Sequence, residues 1–249
     1  ELMLGYAMGC LETVRRIHVG AVGDIVASQS SYNAGTLWHR GDSTDWSRME
    51  YQIRNWLYYT WLSGDHIVEQ AIHSLDRVSW LLGNQTPLKA YGMGGRQQRT
   101  DPKWGHIFDH HSVVFEFPEN RRVYFTCRQQ DNVSYKTDEH VLGTIGQADL
   151  LQHKIHGPNQ WKYREKERSG YRIEHEELFA SIRNGEPKVD EYMCDSTMIA
   201  IMGRMATYTG KVITWEDCID SDARLGPEEY AWTDVPEPPV PVPGVTSIA

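Results

Sequence analysis

The sequence lacks the features that mark several large classes of protein. Its 249 residues include 4 cysteines, none of them in a C-x-x-C pair, which argues against a zinc knuckle and a disulfide framework. No apolar run approaches the ~20 residues of a membrane-spanning helix. Acidic residues outnumber basic ones by 34 to 25, the net charge is −9, and no basic stripe is present. We therefore expect neither a membrane nor a nucleic acid as a partner.

A dinucleotide fingerprint is also missing. Such a fingerprint is a glycine-rich turn that follows a strand and begins a helix. The nearest glycine run, at 92–95, is followed by a polar segment that contains Pro102, so it predicts no helix. We therefore expect no cofactor-binding residues in this chain.

The remaining composition, 40% hydrophobic and 24% charged, is sufficient for one sizeable core. Short alternating or apolar blocks bounded by turn residues predict strands, and helical patterns precede, separate and follow them. The pattern predicts an α+β fold with a mainly antiparallel sheet. The predicted strands are 25–33, 88–93, 112–117, 122–128, 140–144 and 148–155, and the predicted helices are 2–19, 64–83, 173–183 and 195–208.

The predicted helix 64–83 carries more chemistry than any other stretch. Glu69, His73 and Asp76 are spaced by four and three, so a continuous helix places them on one stripe. A carboxylate one turn before an imidazole orients the ring and favours its protonated form. A general base that acts near neutral pH requires this arrangement. An alternative interpretation is a solvated ion-pair ladder on a surface helix.

Histidines also permit a metal interpretation. His66, Glu69 and His73 fall at i, i+3 and i+7, although the usual zinc-helix pattern H-E-x-x-H is absent. Residues 109–111 begin a strand, and His111 together with His73 is a candidate for a metal or substrate site. The alternative is that these strand-end histidines satisfy local hydrogen bonds.

An aromatic segment at 36–61 follows no clean period. A long aromatic loop is uncommon unless it is functional, and flat rings with polar edges suit a sugar. The candidate substrate-binding residues are Trp38, Arg40, Arg54, Trp56 and, farther along, Arg96. The alternative interpretation is that the aromatic rings only fill the core and the arginines form surface ion pairs.

The run E-Q-A-I-H-S-L-D at 69–76 resembles a motif of the glucose–fructose oxidoreductase / inositol dehydrogenase / rhizopine-catabolism (Gfo/Idh/MocA) family. The family motif is D-x-G-x-H-x-x-D, in the C-terminal domain. Glu69 replaces its first Asp, Ala71 replaces its Gly, and His73 and Asp76 match. The runs L-E-T-V-R-R-I-H-V-G, Y-G-M-G-G-R-Q and I-F-D-H-H-S-V-V-F-E-F also resemble this family. The resemblance covers nearly the whole chain up to the proline-rich tail.

The resemblance implies an open sheet with helices packed on one face, while the other face builds a homodimer or homotetramer. It divides the chain into a helix at 1–20 that leaves a missing nucleotide domain, a substrate-binding and oligomerisation domain at 21–235, and a proline-rich tail at 236–249. The parent protein would be an NAD(P)-dependent oxidoreductase of a sugar, polyol or keto-sugar. NAD or NADP would be bound mainly by the missing Rossmann domain, and none is expected to bind this chain alone.

The same resemblance assigns roles to side chains. His73 and Glu69 are the expected catalytic residues, and Asp76 is a substrate-side residue that supports the helix register more than the chemistry. Two other functions are considered: a metal- or redox-assisted glycoside hydrolase or lyase, in which His66, His73 and His111 bind a divalent ion, and a non-enzymatic sugar-binding module. Both cytoplasmic and exported locations fit, depending on residues upstream.

Overall fold

The computed structural model describes residues 7–166, 168–186 and 192–247. Its strands are β1 Ile25–Ala34, β2 Lys89–Gly95, β3 His110–Glu116, β4 Arg122–Gln129, β5 Lys136–Gly143, β6 Gln147–Asp149, β7 Lys154–His156, β8 Trp161–Lys162 and β9 Ile213–Thr214. Its helices are α1 Met8–His18, α2 Arg48–Arg54, α3 Thr60–Ser63, α4 His66–Glu69, α5 Ile72–Leu81, α6 Gly170–Asn184, α7 Tyr192–Thr209 and α8 Trp215–Ile219.

The strands form one nine-stranded sheet in the order β8-β7-β6-β5-β1-β4-β3-β2-β9. The β1–β4 pair is parallel, and the other neighbouring pairs are antiparallel. A 3₁₀ turn at Pro118–Asn120 joins β3 to β4, as the sequence predicted for this hairpin. The prediction of an open, mainly antiparallel sheet in an α+β fold is confirmed.

One face of the sheet carries the core. In β4, Val123, Phe125 and Cys127 are buried, whereas the alternate residue Tyr124 is 46% exposed. Helices α5 and α7 pack on the buried face, and Gly203 of α7 lets that helix approach closely, since a Cβ there would lie 3.0 Å from the Phe115 ring. Among the described residues, the helices therefore cover one face of the sheet and leave large side chains of the other face exposed.

A buried ion pair fixes α5 on the sheet. The Arg77 guanidinium on α5 donates to the Glu139 carboxylate on β5, and both side chains are almost fully buried. Removing one partner of such a pair leaves an uncompensated buried charge, which costs about 3–5 kcal/mol. The pair therefore holds the helix that bears His73 in one position over the sheet.

The prediction of one continuous helix over 64–83 was wrong. A turn at 70–71 separates α4 from α5, because the amides of both Gln70 and Ala71 donate to the His66 carbonyl. The side-chain amide of Gln129 on β4 donates to the side-chain oxygen of Gln70 over 2.8 Å, and this bond links the turn to the sheet. A side-chain hydrogen bond from a neighbouring strand thus accompanies the break in the helical periodicity.

The prediction of an irregular segment over 36–61 was wrong for its second half, which contains α2, a 3₁₀ turn at Trp56–Tyr58 and α3. Tyr51, Tyr58 and Tyr59 are buried there with Leu57 and Ile107 in a separate small core. These three tyrosines therefore fill a core, as the alternative interpretation proposed.

The other predicted helices are present. The predicted range 2–19 contains α1, and its first residues lie outside the described part of the chain. Helices α6 and α7 extend the predicted ranges 173–183 and 195–208, and Gly185 ends α6 in the left-handed conformation. None of the helices in the described ranges is both long and apolar enough to cross a membrane.

Candidate functional site

Glu69 and His73 lie on either side of the α4–α5 turn. Glu69 is the last residue of α4, and His73 is the second residue of α5. Both residues are partly exposed, and burial raises the pKa of the Glu69 carboxyl. The structure thus keeps the expected catalytic pair near one turn, although a break in the helix separates them.

Tyr32 is a candidate that sequence analysis missed. It lies on β1 and packs against the main core. Burial raises the pKa of its phenol, and the charge of Glu69 raises it further. A neutral phenol beside a carboxylate can donate a hydrogen bond to a bound hydroxyl or carbonyl. Strand alternation at 28, 30 and 32 could have placed Tyr32 on the helix-covered side.

Asp76 points to α7. Its carboxylate is buried and accepts a hydrogen bond of 2.8 Å from the Ser196 hydroxyl. Burial raises the pKa of Asp76 to about 6. The structure therefore places Asp76 in a helix–helix contact, while Glu69 and His73 are partly exposed.

A buried polar network surrounds the turn. Gln129 bonds to Gln70 and also accepts from the Arg99 guanidinium over 2.6 Å. Arg99 is buried, and its guanidinium also donates to the Phe108 carbonyl. No motif in the sequence marks these glutamine and arginine residues, so they were not predicted. The network connects the position of Glu69 to the loop that follows β2.

Asp65 is the centre of a second buried cluster. Its carboxylate accepts hydrogen bonds from the Phe108 amide at 3.1 Å, the Tyr208 hydroxyl at 2.5 Å and the His66 Nδ1 at 2.7 Å. His111 Nε2 lies 3.3 Å from the same carboxylate. Asp65 adopts φ 77° and ψ 161°, an extended conformation with positive φ that is found almost only for glycine. The hydrogen bonds hold the backbone in this conformation.

Burial and hydrogen bonding determine the protonation states of Asp65 and His66. Burial opposes ionisation of Asp65, but His111 and His66 outweigh it and hold the pKa of Asp65 well below its usual value. Burial lowers the pKa of His66 to about 4, so that its ring is neutral at pH 7. An ionised Asp65 therefore accepts hydrogen bonds on both oxygens.

Asp65, His66 and His111 are also the group of potential metal ligands that the described residues bring within 4.8 Å of one another. The alternative trio from the sequence contained His73 in place of Asp65, and His73 is not part of the observed group. All three side chains are buried. Carboxylate and imidazole donors are of the type that zinc accepts, so these are the residues that could hold an ion.

Acidification is expected to destabilise the fold. Burial lowers the pKa of His66 and of His106 to about 4. Because the unfolded chain takes up these protons near pH 6.5, stability present above that value is lost between pH 6.5 and about 4. Asp76 and Glu69 oppose the change, since burial raises the pKa of both carboxyls, that of Asp76 to about 6. The two histidines are expected to outweigh them, because the unfolded chain takes up the histidine protons at a higher pH than the folded chain takes up that of Asp76. Urea unfolding at pH 7 and at pH 4.5 measures the loss of unfolding free energy. The variant His106→Gln should lose less stability between these two pH values. Equal stability of the unaltered chain at both pH values would contradict the prediction.

The predicted substrate residues of the aromatic segment fall into two groups. Trp38 and Trp56 meet edge to face, with ring centroids 6.1 Å apart, and the Arg40 guanidinium lies 4.4 Å from the Trp38 ring centre. Arg54 instead pairs with Glu50 at 2.7 Å and is half exposed. The structure therefore brings Trp38, Arg40 and Trp56 together and places Arg54 in a surface ion pair.

Arg96 holds a loop. Its guanidinium donates to the carbonyls of Arg99 and Gly105, and it lines a cavity of about 630 Å³ together with His39 and Arg48. Asp109 fixes the same loop by accepting from three consecutive amides at 97–99. Burial opposes ionisation of Asp109, but these bonds and one to His110 lower its pKa to about 2.

The glycine run at 92–95 does not form a phosphate cradle. Gly92 and Gly94 lie inside β2, where a Cβ would stand 2.3 Å from the Ser112 carbonyl oxygen and 2.7 Å from that of His110. These glycines therefore allow β2 and β3 to approach closely. The run begins no helix, so it does not fit the pyrophosphate of a dinucleotide.

The family model of the GFO/IDH/MocA C-terminal domain matches residues 11–149, which is more than half of the chain. The chain belongs to this family. The matched part of this Gfo/Idh/MocA domain contains Glu69, His73 and Tyr32 as well as the Asp65 cluster up to His111. A comparison with curated proteins gave no match.

Solved structures share the fold of this Gfo/Idh/MocA domain. An oxidoreductase from Agrobacterium radiobacter in complex with NAD+, L-tartaric acid and magnesium has a TM-score of 0.64 at 10% identity, over 86% of this chain and 64% of the other. Myo-inositol 2-dehydrogenase from Lactobacillus plantarum has 0.62 at 14%, over 86% and 63%. Aldose-aldose oxidoreductase from Caulobacter crescentus, complexed with glycerol, has 0.61 at 18%, over 82% and 60%. This chain spans less than two thirds of each of them.

Proposed function

We propose that this chain is the substrate-binding and oligomerisation domain of an NAD(P)-dependent oxidoreductase that acts on a sugar, a polyol or a keto-sugar. The observation that carries the proposal is the placement of Glu69 and His73 at a partly exposed turn within a Gfo/Idh/MocA domain. The similar structures named for inositol and aldose chemistry support a polyhydroxylated substrate. Nicotinamide, when bound, would supply the hydride acceptor.

The residues of this chain would handle the substrate and its proton. His73 accepts the proton of the hydroxyl that is oxidised, since an imidazole has the pKa for this task near neutral pH. Glu69 orients the imidazole or binds an adjacent hydroxyl. Tyr32 holds a further oxygen of the substrate from β1. Trp38, Arg40 and Trp56 form a second surface with the stacking and hydrogen-bonding groups that a sugar requires.

A cofactor experiment tests whether this chain binds the substrate while a different domain binds the nucleotide. The complete protein, incubated with NAD+ or NADP+ and a panel of polyols and aldoses, is expected to reduce the nucleotide, which is followed at 340 nm. The isolated 249 residues should show no calorimetric binding of either nucleotide in the micromolar range, because the run at 92–95 is a strand. Micromolar binding by the isolated chain would show that a different surface holds the cofactor, and an inactive complete protein would contradict the proposed function.

Self-association is expected through the uncovered face of the sheet. Met93 on β2 is 74% exposed, and Tyr124 on β4 and Leu142 on β5 also expose large apolar side chains there. Such a face is a typical subunit contact. Light scattering should report a dimer or tetramer that Tyr124→Asp weakens and that Val212→Asp, a matched change at an exposed valine outside the sheet face, leaves intact. A monomer at micromolar concentration would contradict the prediction.

A further inference from the structure

A cavity of about 680 Å³ lies between α3, α7, the segment at 221–225 and the C-terminal tail. No residue assigned to the proposed reaction lines it. Its volume is in the range of ligand sites in proteins. Its walls are largely apolar and are formed by Met198, Ile201, Met205, Leu225, Pro239 and Pro241.

The charge of this cavity is unbalanced. Arg204 and Arg224 both line it, and its lining residues within the described part of the chain include no aspartate or glutamate, although the chain as a whole carries a net charge of −9. The neighbouring cavity of about 630 Å³ differs, because Asp42 and Glu237 there pair with Arg48. The excess positive charge is therefore a local property of the larger cavity.

Arg204 is the decisive residue. It is 8% exposed, and within the described ranges its guanidinium makes one hydrogen bond, from Nη1 to the Gly64 carbonyl over 3.1 Å, with no carboxylate within 4.0 Å. The Asp65 carboxylate acts on Arg204 through space but makes no ion pair with it. A buried guanidinium carries five donors and is costly without a paired anion. His106, 4% exposed, lines the same cavity, and its Nδ1 has no hydrogen-bond partner among the described residues. The site thus contains unused donors of two kinds.

We propose that this cavity binds a small organic carboxylate with an apolar chain. The carboxylate pairs with Arg204 in the bidentate geometry that a guanidinium prefers. The Thr60 hydroxyl lies 2.8 Å from Nε2 of His106. When this hydroxyl donates to Nε2, the neutral ring carries its proton on Nδ1, and Nδ1 can donate to the ligand. The apolar chain lies against the methionines and prolines of the walls. An uncharged analogue should bind more weakly because it cannot pair with Arg204. Acetate should also bind more weakly because it lacks the chain that contacts the apolar walls.

Hexanoate, hexanamide and acetate are suitable probes for the chain labelled at its methionine methyl groups. Titration followed by NMR should shift Met198 and Met205, which line the cavity, and leave Met93 on the uncovered sheet face unchanged. Charge-assisted hydrogen bonds in a buried site predict that hexanoate binds roughly 10- to 100-fold more tightly than hexanamide. Acetate should bind more weakly than hexanoate by at least about tenfold, because it buries fewer methylene groups.

Two variants complete the test. Arg204→Met should weaken hexanoate binding by roughly 10- to 100-fold, whereas Arg172→Met, which removes an exposed charge on α6, should not change it. Equal affinity for hexanoate and hexanamide, shifts confined to Met93, or unchanged binding in Arg204→Met would each overturn the proposal. Should Arg204→Met not fold, the comparison of the two ligands on the unaltered chain still decides, because it needs no substitution.

Discussion

Replacing His73 by alanine in the complete protein, if it is the oxidoreductase proposed above, is expected to lower kcat by roughly 10²–10⁴-fold, the loss that follows removal of a general base. The residue lies on α5, which the Arg77–Glu139 pair fixes on the sheet. The substitution should therefore leave the fold intact. Steady-state kinetics across pH 5–9 should show a lower rate and the disappearance of the acidic limb of the profile.

Two further variants separate chemistry from structure in this experiment. His18→Ala removes an imidazole from α1 and should leave kcat unchanged. Tyr32→Phe keeps the ring of Tyr32 but removes its donor, so it should raise KM more than it lowers kcat if the phenol binds substrate. A His73→Ala enzyme with the original kcat would exclude the proposed base.

Asp65→Ala is expected to lower the free energy of unfolding by roughly 3–5 kcal/mol. The buried carboxylate accepts from the Phe108 amide, the Tyr208 hydroxyl and His66, and its removal leaves these donors without their acceptor. Urea unfolding at pH 7 measures the change. Asp45→Ala, at an exposed position, should change stability by less than about 0.5 kcal/mol.

Comparison with Asp65→Gly separates side chain from backbone. Glycine also lacks the carboxylate, but it accepts φ 77° without steric cost. Asp65→Gly should therefore be about 1 kcal/mol less destabilised than Asp65→Ala. A loss below 1 kcal/mol in Asp65→Ala would show that the cluster is not held by its carboxylate.

The regular part of the fold could be predicted because its signals are local. Alternation from Val123 to Cys127 places every second side chain in the core, and the turn at 118–120 fixes the β3–β4 hairpin. The break at 70–71 could not be predicted, since Gln129, whose side chain bonds to the turn, is distant in sequence but adjacent in space. Hydrophobic periodicity depends only on neighbouring residues, so it contains no information about a strand that bonds to the helix.

The candidate site divides in the same way. His73 and Glu69 were predicted as site residues because a short motif carries them, and His111 because it begins a strand with another histidine; these roles stay predictions. Asp65 was missed as a cluster centre: its partners Phe108 and Tyr208 come from separate segments, and its positive-φ extended backbone is a conformation expected of glycine. Long-range hydrogen bonds of this kind leave no pattern in one sequence.

The position of β1 determines the order in which this sheet can form. Strands β2, β3 and β4 are neighbours along the chain and in the sheet, and so are β5 through β8, so each set can pair through short connections. β4 and β5 are also consecutive, yet β1 lies between them, parallel to one and antiparallel to the other. Its pairing with β4 closes the loop at 35–121, which costs more entropy than any hairpin. The two meanders are therefore expected to form first and β1 to enter afterwards, so that the strand carrying Tyr32 completes the candidate site late in folding.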